Sequence, residues 1–116
     1  MNKELLINTY EDNTLLFKEN VLGRLENNIL TYENDTDSFI IDLNNLIFKK
    51  ENLESILEIN KEQAILTVKE LECSINITLN KRIFTRHNNN ITIEYLLEST
   101  EKPIKIEIEM SDINES

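Results

Sequence analysis

The sequence holds one glycine (Gly23), one proline (Pro103), one cysteine (Cys73), one histidine (His87) and no tryptophan. A single glycine excludes a Gly-rich phosphate loop. It also leaves turn-making to Asn, Asp and Ser, of which Asn enters the left-handed region at low cost. A single cysteine excludes an intramolecular disulfide framework. The N-terminal stretch "MNKELLINTYED" lacks the apolar core of a secretory leader. No apolar run approaches the roughly 18 residues of a spanning helix. These absences place the expected protein in a reducing cytoplasm, away from membranes. Asn-x-Ser/Thr matches, among them those beginning at Asn34, Asn76 and Asn90, carry no weight without secretion.

Positive charge is scarce too: 12 Lys and Arg stand against 22 Asp and Glu, for a net charge of −10. That balance disfavours direct binding of nucleic acid and adhesion to anionic membranes. It favours solubility, and it allows an acidic surface that docks on a basic protein partner. Apolar residues make up 40% of the 116 positions, enough for one hydrophobic core and one domain spanning 1–116.

What is abundant is alternation. In "IKIEIEM", Ile104, Ile106, Ile108 and Met110 fall on one side, with Lys105, Glu107 and Glu109 on the other. "NITIEYLL" repeats the pattern with Ile91, Ile93, Tyr95 and Leu97, and the two segments read as a hairpin across "ESTEKP". "LECSINITLN" places Leu71, Cys73, Ile75, Ile77 and Leu79 on one face, which predicts that they meet across a core. It runs into "KRIFTR" through a turn or bulge at Asn80 and Lys81. "KELLINTYE", "NTLLFKENVLGRL", "NILTYEN", "SFIIDL", "NLIFKKE" and "QAILTV" are further strands, with a tight turn at Asn44 and Asn45. "KKENLESILEINKEQ" fits a short amphipathic helix through Leu53, Ile56 and Leu57, but its neighbours on both sides are strands and it reads better as strand. Short strands joined by short turns predict an all-β domain, a single antiparallel meander barrel. Closure would hide the edges of Ile-rich strands.

Several segments resemble the YwiB-like family of small bacterial proteins of unknown function. "NILTYEN" resembles that family's strand ending in a Tyr-Glu pair, and "NLIFKKENLESILEINKE" its turn from a basic strand into "ESILEI". "LECSINITLNKRI", "ITIEYLL" and "IKIEIEM" resemble its closing strands. The resemblance covers about residues 5–110 and implies a calycin-like barrel of about eight strands. It supplies no site residues. Where the family carries a Gly-containing turn before its counterpart of "LECSINITLN", this chain has "VKELE".

Candidate chemistry is thin. His87, in "FTRHNNN", has no second His, Cys or paired carboxylate at ligand spacing, and reads as an exposed turn residue. Cys73 is in phase with Ile75 and Ile77 and is expected to be buried and inert. "ENDTDSF" gathers Glu33, Asp35 and Asp37, but a calcium loop counted from Asp35 would have Ile40 and Leu46 where Gly and Glu are needed. It reads as a solvated turn. Basic residues cluster at Lys49 and Lys50 and at Lys81, Arg82 and Arg86. Arg82 and Arg86 share a strand face about 13 Å apart and are candidates for an anion site, with salt bridges to the abundant Glu as the plainer account. The seven aromatics are Tyr10, Phe17, Tyr32, Phe39, Phe48, Phe84 and Tyr95, and they are spread as core residues rather than as a base-stacking platform.

No catalytic residue, metal site or cofactor is assigned, and the expectation is a non-enzymatic barrel. One reading has it bind a small apolar ligand at the barrel mouth, with bulky side chains filling the interior to leave at most a shallow pocket. A second is an acidic interaction module or inhibitor that docks on a nucleic-acid-binding protein, hinted at by Glu94, Glu107 and Glu109. A third is a homodimer through a sheet edge or the barrel mouth.

Overall fold

The alternation becomes β-structure along the length of residues 1–113, which the computed structural model describes. Eleven strands follow one another. They are β1 (Asn2–Glu11), β2 (Thr14–Glu26), β3 (Ile29–Glu33), β4 (Ser38–Asp42), β5 (Ile47–Glu51) and β6 (Ser55–Ile59). The rest are β7 (Ala64–Val68), β8 (Cys73–Ile77), β9 (Leu79–His87), β10 (Asn90–Leu97) and β11 (Ile104–Asp112). All pairings are antiparallel, in the order β8-β7-β6-β5-β4-β3-β2-β1-β11-β10-β9. The pairing of β1 with β11 brings the two halves of the meander together, and the predicted hairpin of the last two strands is present. Residues 55–59 form a strand, not a helix.

Asparagine and aspartate make the turns. Asp12–Asn13 and Asn27–Asn28 are two-residue connections with all four φ angles positive, the geometry that matches the twist of a hairpin. Elsewhere one motif recurs. The Oδ1 atoms of Asn34, Asn52 and Asn60 each accept the backbone N–H groups two and three residues on, at 2.8–3.0 Å. Asp42 does the same for Asn44 and Asn45 at 3.0 Å. The Asn45 side-chain amide and these backbone donors hold the Asp42 carboxyl below its usual range.

Leu46 and Glu72 also take positive φ, 57° and 49°, without the local hydrogen bonding that eases Asn into that region. Glu72 is exposed, so nothing is lost by removing its side chain. Glu72→Gly is expected to raise stability by about 1 kcal/mol, read as a higher urea midpoint at unchanged slope. A lower midpoint would show that Glu72 contributes something beyond its strained backbone.

The strand count corrects the expected eight. β3 to β8 are only five residues each, so more strands fit in the chain. The segment "LECSINITLNKRIFTR" divides into two strands at Thr78, and the irregularity expected at Asn80 and Lys81 is present as a bulge in the ladder of β9 with β10. Its first part pairs with β7, where Ala64 faces Ile77, and its second with β10, where Leu97 faces Leu79. The two ends of the sheet are therefore consecutive stretches of one chain. Thr78 joins them and accepts a hydrogen bond from the Glu98 N–H at 2.9 Å. The barrel is nearly closed, and it is drawn together at that point by chain continuity instead of by a ladder.

A second correction concerns Cys73, which is exposed. The register places Cys73, Ile75 and Ile77 opposite Val68, Leu66 and Ala64, so the alternation is as expected. Coverage is not. β8 has a neighbour on one side only, and among the described residues nothing closes over Leu71, Cys73 and Ile75. Leu71 is 70% exposed and Ile75 50%.

The core lines the rest of the barrel: Leu5 and Ile7 from β1, Leu30 and Tyr32 from β3, Phe39 and Ile41 from β4, and Phe48 from β5. Ile59, Ala64, Phe84, Ile91, Ile93, Tyr95, Ile106, Ile108 and Met110 complete it. Five of the seven aromatics are buried there, while Tyr10 and Phe17 are not. Gly23 sits under Leu5. A Cβ on it would meet Leu5 Cδ1 at 2.6 Å and the Thr31 carbonyl oxygen at 3.1 Å.

Candidate functional site at the barrel mouth

Inward positions at one end of the barrel do not meet. Thr9, Phe17, Glu19, Tyr32, Phe39, Lys50 and Ile104 stand around an opening of about 850 Å³ that reaches down to Ile7, Phe48, Tyr95 and Ile106. The interior is thus more open than the expected shallow pocket. Barrel diameter grows with strand number, and about eight strands leave room only for packed side chains or one small ligand. The additional strands widen this one.

The wall is aromatic. Tyr32 and Phe39 face each other across β3 and β4 and stack, with centroids 4.6 Å apart and planes at 14°. Phe48 follows at 6.1 Å from Phe39 and at 6.1 Å from Tyr95, linking β5 to β10 through the interior. Burial pushes the Tyr95 phenol up to about 12. Burial raises the Tyr32 phenol as well, and the Glu19 carboxylate adds to the effect. A phenol whose folded value lies above its unfolded one stabilises the fold fully below the unfolded value of 10.0 and ceases to do so as pH rises through the folded value. Stability is expected to fall between about pH 10 and 12. Urea unfolding at successive pH values should show a shallower fall for Tyr95→Phe. An identical fall would assign the loss to other groups.

The rim is polar. Glu19 lies between Phe17 and Val21 on the inward side of β2, opposite Ile7, and is half-buried. Asn34 Nδ2 donates to its Oε1 at 2.9 Å. Glu33 at the end of β3 and Asp35 and Asp37 of the β3–β4 loop join the lining. Asp37 accepts from Thr36 Oγ1 at 2.7 Å and from Asn52 Nδ2 at 3.4 Å. Lys50 is the lining's one cation, and neither it nor Glu19 takes part in an ion pair among the described residues.

Of the candidate residues singled out from sequence, Glu33, Asp35, Asp37 and Lys50 line the mouth, and the others lie elsewhere. Arg82 and Arg86 face the same side of β9, opposite Tyr95 and Ile91. Arg82 donates to the Leu46 carbonyl and lies 5.7 Å from the Phe84 ring centroid, while its Nε is buried without a partner. Burial lowers its guanidinium from the usual value. Arg86 Nε donates to the Asn88 carbonyl at 3.2 Å. The two guanidinium groups thus serve different loops. His87 is exposed at the end of β9. Lys49 pairs with Glu58 at 3.7 Å. Of the carboxylates on the closing hairpin, Glu94 pairs with Lys81 at 3.1 Å and Glu107 with Lys105 at 3.4 Å.

Sequence reasoning places Lys50 only in a basic pair with Lys49 and gives Glu19 no role, although both are in phase with apolar neighbours: Phe17, Glu19 and Val21, and Phe48 and Lys50. A charge at an inward position of a period-two pattern was the available signal. Among the described residues no group of three or more His, Cys, Asp or Glu is placed to hold a metal ion, and no helix is long and apolar enough to cross a membrane. Comparison with family models, curated proteins and solved structures finds no match.

Proposed function

We propose that this chain is a non-enzymatic binding protein, a calycin-like barrel that holds a small, largely apolar ligand in its mouth. The observation that carries the reading is the opening of about 850 Å³ walled by Tyr32, Phe39, Phe48 and Tyr95. Ligand sites are concave and mostly apolar, with a few convergent polar groups, and the mouth has that composition. The resemblance to YwiB-like proteins agrees with a barrel and adds no ligand. The lone cysteine and the acidic composition suit a reducing cytoplasm. The docking reading has less support, because two of the three carboxylates behind it are engaged with lysines.

The test is a neutral fluorescent probe, N-phenyl-1-naphthylamine, titrated into three proteins. Val21→Trp fills the mouth from β2, while Leu22→Trp places the same side chain on the outer face, where Leu22 is 71% exposed. The wild type and Leu22→Trp should brighten the probe, and Val21→Trp should not while keeping its β-sheet circular dichroism. Equal binding by both variants, or none by the wild type, would remove the mouth as a ligand site.

A further inference from the structure

We propose that the mouth selects ligands with a cationic head group, an organic ammonium on an apolar body, and that Glu19 is the residue that recognises it. This deepens the ligand-binding reading and rests on it. The apolar body would lie against Phe48, Ile106 and the stacked Tyr32–Phe39 pair, and the head would stop where the wall turns polar.

Glu19 is the one carboxylate of the lining at an inward strand position: Glu33 ends β3 on the outward side of Tyr32, and Asp35 and Asp37 belong to the β3–β4 loop. Its place among Phe17, Val21 and Ile7 is one that packing alone would give to an apolar residue. Its Oε1 is held by Asn34 Nδ2 at 2.9 Å, which fixes the carboxylate's orientation. Among the described residues no lysine or arginine neutralises it. A carboxylate held by one amide and without a counter-ion keeps lone pairs free to accept from a cation, and a ligand ammonium would supply that pair.

Two features reinforce the choice of sign. Glu33, Asp35 and Asp37 stand at the same rim, so the lining carries four carboxylates against the single ammonium of Lys50. Walls of low dielectric focus that negative field into the opening. The faces of Tyr32 and Phe39 also attract cations through their ring quadrupoles.

Calorimetric titration with three ten-carbon probes at monomeric concentrations tests the assignment: decylammonium, decanol and decanoate. The order of affinity should be cation, then neutral, then anion, and added salt should weaken only the first. Glu19→Gln should cost the cation about tenfold or more in Kd and leave decanol unchanged. The probe series and its salt dependence need no variant, so a Glu19→Gln protein that folds poorly would not block the answer. Equal binding of all three probes would leave the ligand-binding reading standing and remove the head-group selection. Tightest binding of decanoate would assign recognition to Lys50. Unchanged cation affinity in a folded Glu19→Gln would remove the role of that residue. Failure of all three probes to bind would overturn both readings.

Discussion

Phe48→Ala is expected to cost about 3–5 kcal/mol of folding stability. Phe48 is fully buried at 0% exposure, and its ring stands between Phe39 and Tyr95, 6.1 Å from each. It is therefore the aromatic that spans from β4 and β5 to β10, between strands that share no ladder. Truncation removes the transfer free energy of a phenyl group and the tilted ring contacts on both sides, and aromatic pairs add about 0.5–1.5 kcal/mol each. The ring also floors the mouth, so the space it vacates joins the opening. Water entering from that side would soften the cavity penalty, which places the loss at the lower end of the range. Against a total of about 5–15 kcal/mol for a domain of this size, that loss is large. Urea unfolding followed by circular dichroism reads it directly. Phe17→Ala serves as the control, since Phe17 is 48% exposed and its loss should stay near or below about 1 kcal/mol. A Phe48→Ala loss no larger than that of the control would mean that the interior does not depend on this ring.

Gly23→Val is expected to cost about 2–3 kcal/mol by overpacking. Gly23 lies on β2 opposite Lys3 and Tyr32, and it is buried beneath the Leu5 side chain. A first added carbon would already meet Leu5 Cδ1 at 2.6 Å. Leu5 is itself fully buried at 0% exposure, so its methyl group has no free space to move into. A strand favours valine over glycine, which offsets the clash only in part. The cause can be separated by a double-mutant cycle. Leu5→Ala alone should cost about 2–5 kcal/mol, whereas the pair should cost less than the two changes added together, by about 1 kcal/mol or more. Strict additivity would show that Gly23 is needed for some reason other than the contact with Leu5.

Which residues form strands is written locally in this chain. Period two needs only neighbouring side chains to show itself, as in Ile104, Ile106 and Ile108, and the turn residues carry their own hydrogen-bonding chemistry, as Asn34, Asp42, Asn52 and Asn60 do. All-β structure, antiparallel order and the last hairpin follow from those two signals. Closure does not, because it depends on where the two ends of the sheet meet. Alternation put Cys73 and Ile75 on the face of Ile77, correctly, yet no local signal tells that the chain leaves β7 at Thr78 and joins β10. That departure leaves Cys73 and Ile75 uncovered. The mouth has the same origin. Glu19 and Lys50 are ordinary charges on strands until eleven strands curl far enough to set them around one opening. The sequence by itself determined the strands, their turns and the side each residue faces, because those are short-range properties. The tertiary structure alone decided what each side faces, since the width of a barrel is set by how many strands enclose it and where they meet.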